Sequence, residues 1–150
     1  MRAVVQRVSN ASVISDGILT GTIENGLLVL LGIEHDDHRQ DAEWICEKIR
    51  YMRIFSDNEG KMNLSVEDIG GELMVISQFT LHASTKKGNR PSFIKAARPE
   101  QATELYNYFK EYLKQRTGKD IASGVFGADM KVSLVNDGPV TIIIDSKNKE

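Results

Sequence analysis

The fold is organised around residues 72–83, ELMVISQFTLHA, in which an apolar segment runs directly into polar side chains. Glu72 to Ile76 is rich in apolar and β-branched residues and follows the Gly70-Gly71 break, a pattern typical of a buried strand. The next four residues, Ser77 to Thr80, would alternate between the two faces of that strand. If this segment bends out of its sheet, its N–H groups become free, and free N–H groups beside hydroxyls can polarise a carbonyl. If this segment has no catalytic role, it is a solvated strand edge or a hydrogen-bonded turn.

Three further strands are predicted before this segment. Arg2 to Val8 alternates between apolar and polar residues, and the hairpin signals Asp16-Gly17 and Asn25-Gly26 flank Ile18 to Ile23. Leu27 to Ile33 follows and is apolar on both faces, so it is expected to be central and covered on both sides. Together these segments predict an antiparallel meander.

Two main helices are predicted, each by apolar residues at helical spacing. The first carries Ala42, Ile45, Cys46 and Ile49. The second begins at Arg98-Pro99-Glu100 and carries Ala102, Leu105, Tyr106, Phe109 and Leu113.

The C-terminal part predicts a short strand from Ala122 to Phe126 and two longer ones, Met130 to Val135 and Val140 to Ile144. A turn at Asn136-Asp137-Gly138-Pro139 would join the last two, and the polar tail 146–150 is expected to fray. With no linker or repeat, residues 1–150 are expected to form a single domain of the α/β class, in its α+β form.

Composition sets the class of protein. Hydrophobic residues make up 41% and charged residues 27% of 150, as in a soluble globular domain. The formal net charge of −2 gives no global attraction to nucleic acid. Cys46 stands alone, which excludes an internal disulfide and fits a reducing compartment.

Targeting signals are not apparent in the sequence. The longest apolar run, Leu27 to Leu31, is far shorter than the roughly 18 residues of a membrane span. The N-terminal residues are charged too early for a signal peptide. We therefore expect a cytoplasmic protein with no membrane contact.

Two acidic segments have some features of metal sites. His35-Asp36-Asp37-His38 has no matching ligands later in the chain, and acidic residues in a first helical turn explain it. The loop Ser56 to Lys61 lacks the later glutamate of a calcium loop. No metal and no other cofactor is predicted.

Arg7 and Gly138-Pro139 are the remaining unusual features. Arg7 lies on a small apolar strand face, where a guanidinium needs carbonyl or carboxylate partners unless it reaches solvent at the sheet rim. Gly138-Pro139 is typical of a turn, although an X-Pro bond can also be cis and present two rigid carbonyls to an ammonium group.

The tightest basic cluster is Lys86, Lys87 and Arg90. These side chains suit phosphate contacts, or they solvate a loop.

Together these motifs resemble the D-aminoacyl-tRNA deacylases, from Met1 to Asp145. The two main motifs are Ser77-Gln78-Phe79-Thr80-Leu81 and Asn136-Asp137-Gly138-Pro139-Val140-Thr141. Supporting segments are Val5-Gln6-Arg7-Val8, Gly60-Lys61-Met62-Asn63, Arg90-Pro91-Ser92-Phe93 and Phe126-Gly127-Ala128-Asp129-Met130. Either main motif alone is weak, but both in this order are highly specific.

The resemblance implies a barrel-like core of antiparallel and mixed sheets, and a homodimer with active sites at the subunit interface. Gly138-Pro139 would be cis and reach into the partner's pocket, with Arg7 bracing it and Met130 contributing to chiral selection. The pocket would be lined by Ser77, Gln78, Phe79 and Thr80. The implied substrates are D-aminoacyl-tRNA and glycine mischarged on noncognate tRNA, in a proofreading role in translation.

The implied chemistry leaves two mechanisms open. Water can attack the ester with help from the terminal ribose 2′-hydroxyl, while the Phe79 N–H polarises the carbonyl; alternatively, Thr80 is a covalent nucleophile. His82 occupies a position at which the D-aminoacyl-tRNA deacylases usually have tyrosine. No carboxylate is assigned to orient its imidazole. Lys86, Lys87 and Arg90 would contact the tRNA acceptor end.

Two other functions remain to be compared. One is a nucleic-acid-binding module without catalysis. The other is a general ester hydrolase that uses Thr80 or Ser77 with His82.

Overall fold

The computed structural model describes all residues from Met1 to Glu150. Two α-helices and a 3₁₀-helix accompany eight strands. In chain order these are β1 Arg2–Ser15, β2 Ile18–Ile23, β3 Gly26–Gly32, α1 Arg39–Tyr51, β4 Phe55–Ser56, β5 Met62–Leu64, β6 Glu72–Ser77, the 3₁₀-helix Phe79–His82, α2 Pro99–Thr117, β7 Ile121–Ser123 and β8 Met130–Asp145.

β1 pairs with more strands than any other strand of the main six-stranded sheet. It pairs antiparallel with β8 from Arg2 to Ser15, and with β3 and then β2 in succession. β3 continues the sheet through a parallel pairing with β6, and β6 pairs in parallel with β7. The sheet is therefore mixed, and β3 is central, as its apolar character on both faces predicts.

The sheet curls into a nearly closed barrel because β2 bends over β7. A Cβ built on Gly21 of β2 would lie 3.0 Å from the Ser123 carbonyl oxygen of β7, so glycine permits this approach. The end of β1 is tied to the segment after β7, where the Val125 N–H donates to Ser15 Oγ at 3.1 Å.

Two apolar cores fill the molecule. The larger lies between the sheet and the helices and includes Ile45, Ile49, Tyr106 and Phe109. The smaller fills the barrel with Val8, Ala11, Val13, Ile23, Leu28, Met74 and Ile76. Cys46 is buried in the first core, and desolvation raises the pKa of its thiol, as expected of an inert packed cysteine. Neither helix combines the length and apolar character needed to cross a membrane.

Two predicted turns are wrong. Asn25-Gly26 is not a hairpin, because β2 and β3 both pair with β1 rather than with each other. Residues 136–139 do not reverse the chain either. Gln6 faces Thr141 and Val8 faces Asn136, so β8 continues along β1 and carries a bulge opposite Arg7.

The tail 146–150, expected to fray, is anchored at its first residue. Ser146 is buried; its N–H donates to the Met1 carbonyl at 2.9 Å, and its hydroxyl donates to Asp41 at 2.6 Å. Although burial acts to raise it, hydrogen bonds from Ser146 and His38 lower the pKa of Asp41 to about 2.

The expected first turn at His35-Asp36-Asp37-His38 lies before α1, which begins at Arg39. Asp37 is buried there and accepts hydrogen bonds from the Met1 α-ammonium group and, at 2.8 Å, from the Glu34 N–H. A buried carboxylate requires such partners, and they come from a part of the chain that helical periodicity does not reveal.

Candidate active site

The polar segment after β6 does not continue as a strand. β6 ends at Ser77, and residues 79–82 coil into the 3₁₀-helix, so the predicted alternation of side chains between two faces is wrong. The expected bend is present, however. Phe79 and Thr80 are exposed, and the Gln78 side-chain amide donates to Thr80 Oγ1.

The bend leaves backbone donors available. The Gln78 N–H donates to the Leu31 carbonyl at 2.7 Å, and the Leu81 N–H donates to the Gln78 carbonyl at 3.2 Å. Among the hydrogen bonds of loops and caps, none has the N–H of Phe79 or Thr80 as donor. The leading N–H groups of a helix lack intrahelical partners, so these two can meet an external oxygen.

Two contacts hold this 3₁₀-helix against the sheet. The Arg2 guanidinium donates to the Leu81 carbonyl at 2.8 Å and to Asp145 at 2.9 Å. Gly32 lets the chain approach closely, because a Cβ there would lie 3.0 Å from the Gln78 carbonyl oxygen and 3.0 Å from Leu81 Cβ. Sequence reasoning missed both residues, since neither belongs to a recognisable pattern.

The second motif forms the bulge of β8. Arg7, whose side chain is only 11% exposed, donates to the Asp137 carbonyl at 3.2 Å and to the Ile54 carbonyl at 2.6 Å. The predicted need of Arg7 for carbonyl partners is thereby met. Gly138 and Pro139 project into solvent, and the peptide bond between them is cis.

Asn136 closes the base of this bulge. Its side-chain amide donates to the Arg7 carbonyl at 3.0 Å and to the Val140 carbonyl at 2.9 Å. Gly138 has a φ of +121°, and a Cβ on it would lie 2.9 Å from both Arg7 Nη2 and Val140 Cγ2. The bulge is therefore braced on two sides, with room only for glycine.

A single chain keeps the two motifs apart. Ser77 pairs with Leu31, which faces Ala3 of β1, whereas the bulge lies opposite Arg7, four residues further along β1. Ser77 and the bulge are therefore separated by about 13 Å along the strands. Across the sheet they are separated by three strand spacings, or about 14 Å. The chain's own bulge thus does not reach its own 3₁₀-helix.

Met130, the other residue assigned to chiral selection, lies away from both motifs in one chain. It faces Ser15, six residues along β8 from Asn136, and its side chain packs into the barrel against Gly124. Met130 and Asn136 are about 20 Å apart along the strand. The structure therefore does not bring Met130 and Gly138 together within a chain.

The basic cluster lies on a loop closed by two hydrogen bonds between Ser84 and Ser92, of 2.8 and 2.9 Å. Lys86, Lys87 and Arg90 are exposed at its tip, and none of them pairs with a carboxylate. The loop follows the 3₁₀-helix directly, so it flanks the candidate site.

Two other polar features lie outside the motifs. The largest groove, of about 940 Å³, lies between α1 and the end of β8 and is lined by none of the motif residues. His82, the last residue of the 3₁₀-helix, is buried, and its Nε2 has no hydrogen-bond partner. No carboxylate orients this imidazole, so a Ser-His-Asp arrangement is not formed.

Comparison with known proteins agrees with the motifs. A family model described as D-Tyr-tRNA(Tyr) deacylase matches residues 4–145. The chain is 59% identical to a D-aminoacyl-tRNA deacylase of Bacteroides thetaiotaomicron over 100% of both chains. It is 58% identical to one of Christiangramia forsetii over 99% of both.

Two solved structures share the fold. One, of a c-Myc DNA Unwinding Element Binding Protein, is 44% identical with a TM-score of 0.90, covering 97% of this chain and 98% of the other. The second, of a probable eukaryotic D-amino acid tRNA deacylase, is 15% identical with a TM-score of 0.82 and covers 95% and 97%, a likeness of fold alone. The predicted α+β fold with a barrel-like core is confirmed. The chain belongs to the D-Tyr-tRNA(Tyr) deacylase family.

Proposed function

We propose that this protein hydrolyses the ester bond of D-aminoacyl-tRNA, and of glycine mischarged on noncognate tRNA, and spares L-aminoacyl-tRNA. Membership of the family makes it a hydrolase of the aminoacyl-tRNA ester; the proposal adds how handedness is selected. The observation that carries it is the exposed Gly138-Pro139 bulge, braced by Arg7 and Asn136, which its own chain leaves without a pocket to fill. This reaction is a proofreading step of translation and belongs in the cytoplasm, where aminoacyl-tRNA is used.

A complete active site of this kind requires a homodimer. Because one chain separates its bulge from its 3₁₀-helix, a complete site needs the bulge of a second copy beside Ser77 to Thr80. In a two-fold dimer the same pair of surfaces meets twice, giving two equivalent sites. The main-chain oxygens of Gly138 and Pro139 then face the substrate's α-ammonium group. An L side chain collides with them, whereas hydrogen or a D side chain points away.

The chemistry needs positioning more than a strong nucleophile, because an aminoacyl ester is already reactive. The free N–H of Phe79 donates to the ester carbonyl as negative charge develops there. The attacking water is activated by the 2′-hydroxyl of the terminal ribose. Gln78, hydrogen bonded to Thr80, keeps the hydroxyl of that residue in a fixed position at the rim of the site.

Replacing Thr80 with alanine should leave hydrolysis of D-aminoacyl-tRNA within about tenfold of the native rate, because Thr80 is not the nucleophile. Loss of a true nucleophile costs roughly 10⁴-fold or more. Single-turnover rates at saturating enzyme distinguish the two cases. A fall of that size in a variant with native circular dichroism would establish Thr80 as the nucleophile.

Charge reversal at Lys86 and Lys87 should weaken tRNA binding and make it less dependent on salt. Each lost phosphate contact lowers the slope of log K against log salt concentration by about 0.7–0.9. Binding isotherms at several salt concentrations measure that slope. Reversal of Lys61 and Lys131, which are also exposed but belong neither to the basic loop nor to the two main motifs, is the matched control. An unchanged slope in the Lys86 and Lys87 variant would remove this loop from the tRNA contact.

Two alternative functions give different results in the same assays. A general ester hydrolase would cleave simple D-amino acid esters that lack a ribose. A nucleic-acid-binding module, the class that the name of the 44% identical protein suggests, would bind acylated and bare tRNA equally and hydrolyse neither.

A further inference from the structure

An exposed aromatic pair borders the 3₁₀-helix. Phe79 and Phe93 are 56% and 36% exposed, and their rings meet edge to face with centroids 5.1 Å apart. Ile94, next to Phe93, is 86% exposed, the most exposed large apolar side chain in the molecule. Edge-to-face contact fixes the orientation of the Phe93 ring without covering it.

The surroundings of this pair are strongly basic. Residues 73–99 contain no aspartate or glutamate, although the chain as a whole carries a net charge of −2. The same segment holds five exposed cations: Lys86, Lys87, Arg90, Lys95 and Arg98. None of them pairs with a carboxylate anywhere in the molecule. Positive charge that is not paired with a carboxylate is therefore concentrated in the segment that follows Phe79 and carries Phe93.

We propose that Phe93 and Ile94 form a stacking surface for an unpaired base of the tRNA acceptor strand, while the surrounding cations contact its phosphates. Aromatic side chains within a positively charged surface are the usual means of holding single-stranded nucleic acid, since every base has a face that can stack. The inference rests on the proposed function, because it names the part of the substrate that this surface receives.

The stacking surface lies where it can position the acceptor strand for the reaction. The Phe79 side chain supports the Phe93 ring, and the Phe79 N–H is the proposed donor to the ester carbonyl. A base stacked on Phe93 therefore fixes the strand next to the reacting carbonyl. Stacking carries little sequence information, so it suits an enzyme that accepts many tRNAs.

The test uses an acceptor-stem RNA hairpin with a single-stranded 3′ end, carrying 2-aminopurine at the last or the next-to-last unpaired position. Stacking on an aromatic ring quenches the fluorescence of 2-aminopurine. Native protein should quench one of the two probes. Phe93→Leu should lose the quenching and bind the hairpin about tenfold more weakly. Phe93→Tyr, which keeps a ring, should retain both properties.

Ile18→Ala is the matched control, because Ile18 is 68% exposed but lies beside the β1–β2 turn, at the other end of β1. It should quench and bind as the native protein does. For D-aminoacyl-tRNA, Phe93→Leu should raise KM more than it lowers kcat, since the surface holds the strand and does no chemistry.

Three results would overturn the inference. The first is native quenching by Phe93→Leu, and the second is the absence of quenching by the native protein at both probe positions. The third is dissociation of a dimer by Phe93→Leu in sedimentation experiments, which would show that a second copy of the chain covers this surface. A native protein that quenches the probe but fails to hydrolyse D-aminoacyl-tRNA would instead contradict the proposed function.

Discussion

Replacing Arg7 with alanine should lower hydrolysis of D-aminoacyl-tRNA by about 100-fold, the cost of moving a positioning group by roughly 1 Å. The Arg7 guanidinium connects the bulge, through the Asp137 carbonyl, to the Ile54 carbonyl outside the sheet. Without it, both carbonyls lose a charged donor and the bulge loses one of its two braces. Single-turnover rates with D-tyrosyl-tRNA measure the loss.

Two further variants separate bracing from charge. Arg7→Lys keeps the charge, but a single ammonium group cannot reproduce the forked contact to two carbonyls, so its rate should stay well below native. Arg39→Ala removes an exposed arginine that pairs with Glu104 on the helices, and should react at the native rate. A native rate for Arg7→Ala would show that the bulge does not depend on this brace.

Gly138→Ala should reduce D-aminoacyl-tRNA hydrolysis by at least about tenfold and narrow the preference for D over L, since misplaced contacts weaken discrimination. The added Cβ would lie 2.9 Å from Arg7 Nη2 and from Val140 Cγ2, so either the bulge or these two side chains must shift. Gly138 also has a φ of +121°, which disfavours any L side chain. Rates for matched D- and L-tyrosyl-tRNA measure both effects.

The control and a mixing experiment test how the effect arises. Gly17→Ala places a side chain at a φ of +82° in open space, so it shows the effect of backbone conformation alone, outside the site. Phe79→Pro removes the proposed amide donor. Mixed with Gly138→Ala, it should restore about a quarter of native activity, because half of the dimers carry one intact site of two. No recovery on mixing would contradict a site shared between chains.

Elements with a clear period were predictable from the sequence. The first helix, the second helix and the apolar strand β3 are each defined by residues that contact their own core, and the structure has all three. For Arg7 the sequence left two interpretations open, carbonyl or carboxylate partners or a side chain reaching solvent at the sheet rim, and the structure shows carbonyl partners.

The structural features that the sequence did not predict depend on contacts between residues that are far apart in the chain. Residues 136–139 carry strong turn chemistry, yet β8 stays paired with β1 on both sides of them, and the turn becomes a bulge. The 3₁₀-helix after Ser77 depends on Arg2 and Gly32, which are distant in sequence. Ser146 and Asp37 both bind Met1, and these contacts between distant parts of the chain leave no periodic pattern in the sequence.

The stereochemical preference of the native protein tests the central claim most directly. Matched D- and L-tyrosyl-tRNA are incubated with the protein, and release of tyrosine is followed over time. Selection by the main-chain oxygens of Gly138 and Pro139 predicts that the D-ester is hydrolysed, while the L-ester decays at the rate seen without protein. Equal hydrolysis of the two esters would contradict the account.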